Sequence, residues 1–156
     1  MTLLNKTAPA FSLLDQEGST HSLSDYKGQK VLLYFYPKDD TPGCTTEAKC
    51  FRDRLNELSA ANVQVFGVSA DDSLSHAKFS EKHGLNFPLL ADVDKEVVQA
   101  YGVWIEKSMF GKKYMGIQRD SFLINEEGVV VKHYEKVTPA THVDEVMHDV
   151  TSGELF

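Results

Sequence analysis

Two thiols, Cys44 and Cys50, stand six positions apart, and they are the only cysteines in 156 residues. Two is too few for a disulfide scaffold. A thiol pair in one short segment suits redox or nucleophilic chemistry, provided one sulfur is held as thiolate, because the protonated thiol attacks poorly. The residues before Cys44 meet that condition. Pro37-Lys38-Asp39-Asp40-Thr41-Pro42-Gly43-Cys44 ends a strand and opens a helix. Thr41 suits the N-cap and Pro42 suits the first helical position. Cys44 then falls in the first turn, where unpaired backbone N–H groups and the helix dipole favour an anion. The competing reading makes Cys44 a small core hydrophobe, packed inward with Ala48, Phe51 and Leu55. Position alone leaves the two even.

Alternating strands and helices must carry that segment. Val31 to Tyr36 is a continuous apolar run closed by Pro37, as expected of a strand buried on both faces. Val63 to Ser69 is a second such run and Phe87 to Leu90 a short third. Phe11–Leu14 and Thr20–Leu23 flank Asp15-Gln16-Glu17-Gly18 as an N-terminal β-hairpin; Ser121–Asn125 and Val129–Tyr134 flank Glu126-Glu127-Gly128 in the same way. Between Cys44 and Ala60, residues Cys44, Ala48, Phe51, Leu55 and Leu58 share one helical face. Further helices are expected over Ser73–His83 with Gly84 as the stop, over a segment carrying Val93, Val97, Val98 and Tyr101, and from Pro139 to Val150. This order predicts an α/β domain with a mostly parallel sheet covered by helices, and an active site at strand C-termini.

At this point the loop carries a resemblance. Tyr34 to Ala48, followed by Phe51-Arg52-Asp53, is similar to the peroxidatic loop of the peroxiredoxins, in particular the Q-type or bacterioferritin comigratory subfamily. The likeness continues through Phe87–Asp92, Tyr101–Trp104 and Gly116–Ile124, and spans roughly Leu4 to Val150. It implies a thioredoxin-like fold with a central mixed sheet, and thiol-dependent reduction of peroxides without a cofactor. It makes Cys44 the nucleophile, with Thr41, Pro42 and Arg119 around it. The chemistry fits those types. Breaking an O–O bond needs a thiolate, hydrogen bonds that align the peroxide, and positive charge for the departing oxygen. Arg119 offers a permanently charged fork of donors; its plainer alternative is a surface ion pair with an acid such as Asp120. Thr41 is expected to share its hydroxyl between helix cap and substrate. Glu47 also fits the family pattern, or else is an acid placed to complement the helix dipole.

Cys50 departs from that pattern. The Q-type resolving cysteine comes five positions after the first, where this chain has Lys49. In a helix, residues six apart differ by about 120° and about 9 Å of rise, so their Cα atoms are about 10 Å apart. A disulfide needs about 5.5 Å. If Cys50 resolves Cys44, the first helical turns must unwind; otherwise an external thiol does so and Cys50 is a bystander. A general dithiol oxidoreductase is a weaker reading, because Thr45-Thr46-Glu47 leaves no C-x-x-C pair. A redox sensor built on Cys44 is a third.

The composition, 42% hydrophobic and 25% charged, fits one domain over residues 1–156 and excludes a disordered chain. A formal charge of −7 disfavours nucleic acid and anionic membranes as partners. No apolar run reaches the roughly 18 residues of a membrane span. Met1 to Asp15 shows no basic-then-apolar leader, so a cytoplasmic protein is expected. Relatives of the Q type imply a monomer recycled by thioredoxin. The six histidines read as solvated side chains, with His76 and His83 sharing a helix face but no third metal ligand. Lys107 to Tyr114 reads as a basic, aromatic loop bordering the active site, and residues 151–156 as a frayed tail.

Overall fold

The computed structural model describes residues 2–152. Strands β1 (Ser12–Leu14) and β2 (Thr20–Ser22) form the N-terminal hairpin and lead into a single 3-10 turn, Leu23–Tyr26. Then follow β3 (Lys30–Phe35), α1 (Pro42–Ala60), β4 (Val63–Ser69), α2 (Ser73–His83), β5 (Leu89–Ala91) and α3 (Glu96–Ala100). The chain closes with β6 (Trp104–Met109), β7 (Lys112–Ile117), β8 (Ser121–Ile124), β9 (Val130–Tyr134) and α4 (His142–Ser152).

Seven strands make one sheet in the order β2-β1-β5-β4-β3-β8-β9. The sheet is parallel only at its centre. β3 pairs with β4 and β4 with β5 in parallel, while the other four pairings are antiparallel. The mixed sheet is the one the family resemblance implies; strand–helix alternation alone suggested a mostly parallel sheet with a hairpin edge, and the antiparallel share is larger than that. The reason is connection length: β8 and β9 are joined by a tight turn, which permits only antiparallel pairing.

The surroundings of β3 show why the run from Val31 to Tyr36 carries no charged side chain. Leu32, Tyr34 and Tyr36 face a core shared with Cys44, Ala48, Phe51 and Leu58 of α1, Phe79 of α2, and Val143 and Val146 of α4. Val31, Leu33 and Phe35 face the other core, with Val97 and Val98 of α3. Covered on both sides, the strand has no solvent face to make polar. Tyr34 stacks on Phe51 with ring centroids 4.8 Å apart, which ties the sheet to α1 one turn beyond Glu47. Gly67 of β4 is needed at this contact, since a Cβ there would lie 2.8 Å from the Tyr34 hydroxyl.

Two other expectations change. The segment Lys107 to Tyr114 is no loop but part of a separate two-stranded hairpin, β6–β7. Its turn, Phe110-Gly111, has both residues at positive φ, the geometry of tight hairpin turns. Of the expected frayed tail, Thr151 and Ser152 belong to α4; residues 153–156 lie outside the described residues.

Candidate active site

The segment after β3 places Cys44 at the C-terminal end of a central strand, as expected. Thr41 has the extended backbone of an N-cap, and its carbonyl accepts the Thr45 N–H at 2.8 Å. Pro42 stands at the first helical position, exposed. Helix geometry leaves the N–H groups of Gly43 and Cys44 without intrahelical acceptors. The Cys44 side chain is 1% exposed, at the edge of the core.

Thr41 differs from expectation in one respect. Its hydroxyl makes no cap bond and donates instead to the Lys38 carbonyl at 2.9 Å. Asp40, at φ 59, bends the chain between them and brings that carbonyl within reach. With its proton committed, the Thr41 oxygen keeps its lone pairs for another donor.

Arg119 comes from the short link between β7 and β8. Phe35 donates its N–H to the Asp120 carbonyl at 2.8 Å, so the residue after Arg119 is pinned to the last residue of β3. The Asp120 side chain is engaged by His133 at 2.8 Å, by Gln118 and by the Lys136 N–H. It is therefore not the partner of Arg119. The guanidinium reaches the helix instead: Nη2 lies 3.3 Å from the Cys44 sulfur and Nη1 is 2.8 Å from Glu47 Oε1. A Cβ at Gly43 would approach Nη2 to 3.2 Å, so the glycine leaves room for this contact. Burial opposes the charge of Arg119, but Glu47 and Cys44 outweigh it and hold the group above its ordinary range.

Glu47 is fully buried and lies past the first helical turn, so the dipole reading of this residue fails. Burial pushes its carboxyl up to about 7, against the attraction of Arg119. Its Oε2 and the Tyr34 hydroxyl are the two buried side-chain oxygens without a hydrogen-bond partner among the described residues. Lys107, the first residue of the segment expected to border the active site, interacts electrostatically with Arg119 and Cys44. Its ammonium donates to the Ile117 carbonyl at 2.6 Å, and burial and then Arg119 hold it below the usual lysine range.

Cys50 sits roughly two turns into α1, half-buried, with its sulfur 3.8 Å from the Ala140 carbonyl. Both cysteines are free and α1 is continuous between them. Burial, followed by Asp53, Asp144 and Glu47, pushes the Cys50 thiol up.

The histidines are not the solvated set expected. His76 and His142 are fully buried, each bonded to groups far along the chain: His76 to Asp39 and the Leu90 carbonyl, His142 to Ser121. Partners so distant in sequence leave no local signal.

The profile of the AhpC/TSA family matches residues 4–133. The chain belongs to this family. Within it the peroxiredoxin is 51% identical over 144 residues to a putative peroxiredoxin bcp of Coxiella burnetii, covering 92% of this chain and 95% of the relative. It is 46% identical over 144 residues to peroxiredoxin Bcp of Bacillus subtilis, covering 92% of each. Among solved structures, a PrxQ mutant of Xylella fastidiosa superposes with a TM-score of 0.92 at 34% identity, over 97% of both chains. A bacterioferritin comigratory protein of Xanthomonas campestris gives 0.87 at 40% identity, over 91% of this chain and 90% of that one. The expected thioredoxin-like fold and Q-type membership are thus established, and this peroxiredoxin is a thiol peroxidase. No helix among the described residues is long and apolar enough to cross a membrane.

Proposed function

We propose that the chain reduces hydrogen peroxide and organic hydroperoxides at Cys44, and that Cys50 and a dithiol protein of the thioredoxin type recycle it. The observation that carries this reading is the guanidinium of Arg119 set 3.3 Å from the Cys44 sulfur and braced by Glu47. A fixed cation at that place can pair with the attacking sulfur anion. It also meets the negative charge that grows on the departing oxygen.

The Cys44 thiolate attacks one peroxide oxygen. The O–O bond breaks, and the second oxygen leaves as hydroxide or alkoxide and takes a proton from solvent to become water or alcohol. Cys44 becomes a sulfenic acid. Thr41 accepts a hydrogen bond from the peroxide O–H, the role left to a hydroxyl whose own proton is spent on Lys38. The N–H groups of Gly43 and Cys44 and the Arg119 fork donate to the peroxide oxygens. Pro42 stiffens the loop by fixing its own φ. Organic hydroperoxides enter the reading because the X. campestris relative was studied for alkyl peroxide reduction.

In the second half the Cys50 sulfur attacks the sulfenic sulfur, water leaves and a disulfide forms. The external dithiol then reduces that disulfide and is itself oxidised. A monomer, the state implied by the resemblance to Q-type relatives, belongs to this reading. A cytoplasmic setting, where thiol reductants are maintained, suits two free cysteines.

The test is peroxide consumption with a thiol reductant, for wild type and Cys44→Ser, alongside circular dichroism. The variant should keep its fold and lose turnover. A folded Cys44→Ser protein that still turns over would remove Cys44 as the nucleophile.

A further inference from the structure

The β6–β7 ribbon lies outside the seven-stranded sheet, yet one of its side chains reaches back toward the site. Lys107 is half-buried, and its ammonium donates to the Ile117 carbonyl at 2.6 Å. The ladder cannot supply that bond. Trp104 stands opposite Ile117, and the Gln118 N–H donates to the Val103 carbonyl at 2.8 Å. Trp104 and Ile117 are therefore a non-hydrogen-bonded pair, and the Ile117 carbonyl points away from β6. The arm of Lys107 crosses β7 to meet it. It passes over Gly116, where a Cβ would stand 3.1 Å from Lys107 Cδ and 3.3 Å from Cε.

The bond matters because of where Ile117 stands. Arg119 follows two residues later, in a link between β7 and β8 that belongs to neither strand. The carbonyls of that link are pinned one at a time. Asp120 donates its N–H to the Gln118 carbonyl at 2.8 Å, Val137 to that of Arg119 at 2.9 Å, and Phe35 to that of Asp120 at 2.8 Å. Those three bonds run from backbone to backbone. The bond at Ile117, where the ribbon enters the link, is made by a side chain. Little packing steadies the ribbon itself, since Lys112 to Met115 are exposed. Burial and the charge of Arg119 both disfavour an ammonium at this place, while Cys44 favours it. A cation set beside a second cation and half out of water needs a contact that offsets the cost. A charged donor on the Ile117 carbonyl is such a contact.

Building on the peroxidase reading, we infer that Lys107 is a positioning residue for Arg119: by holding the Ile117 carbonyl it fixes where β7 ends, and so helps set the guanidinium 3.3 Å from the Cys44 sulfur. Glu47 braces the same arginine from the helix side, through Nη1. Lys107 braces it from the strand side, through the backbone two residues before it. One fixes the head of the side chain and the other its root. Both are needed because the fork must meet sulfur and peroxide together, and an error near 1 Å in such a group costs on the order of a hundredfold in rate. Loss of the Lys107 bond leaves the three backbone pins in place. The link then loosens without detaching, and a smaller loss, on the order of tenfold, is expected.

The test is attack on hydrogen peroxide in a single turnover by the reduced full chain, for wild type, Lys107→Met and Lys107→Arg, with Lys107→Met also placed in an Arg119→Ala background. Lys107→Met should be slower by on the order of tenfold. Lys107→Arg keeps donors of similar reach and should recover most of that rate. In Arg119→Ala no guanidinium is left to position, so adding Lys107→Met should change the rate by less than about twofold. A substitution that merely weakened the fold would cost the same in both backgrounds. Hydrogen exchange of the Asp120 and Val137 amides, which close the link, should be faster in Lys107→Met and unchanged in Lys107→Arg. If Lys107→Met does not fold, Gly116→Ala carries the test: its Cβ crowds the arm of Lys107 and leaves the charge in place, so it should slow attack several-fold and speed the same two amides. A wild-type rate or unchanged exchange in the variant that carries the test overturns the proposal. So does a Lys107→Met loss as large without Arg119 as with it, or a Lys107→Arg protein as slow as Lys107→Met. Wild type that consumes no peroxide would sink the peroxidase reading alone, because the two amides report on Lys107 without peroxide.

Discussion

Arg119 and Glu47 form an ion pair at 2.8 Å that joins the β7–β8 link to the second turn of α1 across 72 positions of sequence. The carboxylate is fully buried and the guanidinium only partly so. The pair therefore acts as a bracket: Glu47 fixes one edge of the guanidinium, and the other edge is left facing the Cys44 sulfur. A bidentate arginine can serve two partners at once in a fixed plane, which a lysine cannot.

Replacing Arg119 by lysine should accordingly keep the charge and lose the bracket. Peroxide attack by Arg119→Lys, measured in a single turnover, should fall by on the order of tenfold or more, at least about 1.4 kcal/mol of barrier. A wild-type rate would make Arg119 a spectator.

Glu47 supplies a pH signature. Its carboxyl is raised from 4.5 to about 7 by burial, so the folded chain holds that proton more tightly than the unfolded chain does. The stability it contributes is full below 4.5 and is lost as the pH rises through about 7. Glu47→Gln should not show this loss. Unfolding free energies from denaturant titrations at about pH 5 and about pH 8 should diverge in wild type by on the order of 2 kcal/mol more than in the variant. Parallel losses in the two proteins would contradict the assignment.

The loop chemistry was largely legible in the amino-acid string, because its signals are local. Thr41, Pro42 and Gly43 mark a helix start, and that start puts Cys44 in the first turn wherever the rest of the chain goes. The bracket was not legible. Arg119 beside Asp120 looks like a surface pair until the fold turns Asp120 toward His133 and Arg119 toward Glu47. The burial of His76 was hidden for the same reason, as its partner Asp39 lies 37 positions away. The β6–β7 ribbon was missed because its strands are mostly solvated: β7 is exposed from Lys112 to Met115 and shows no apolar alternation. Only Phe110-Gly111 marked its turn.

Cys50 carries the fourth prediction. Its sulfur rests against the Ala140 carbonyl, and a helical Cα separation of about 10 Å must shrink to about 5.5 Å for a bridge. Oxidised wild type should thus be less helical than reduced protein and cut faster by protease near Cys44. Each backbone bond lost costs a net ~1 kcal/mol, offset by the new covalent link. Cys50→Ser should abolish both changes and over-oxidise more readily at Cys44. A variant that recycles with thioredoxin as wild type does would make Cys50 a bystander.

The most direct measurement is the intact mass of the reduced chain after one equivalent of hydrogen peroxide, with peptide mapping of the product. The account predicts the loss of two hydrogens, located as a bridge between Cys44 and Cys50, and no modification elsewhere. An added oxygen that persists on Cys44 would contradict the role of Cys50. Unconsumed peroxide with Cys44 still reduced would contradict the account as a whole.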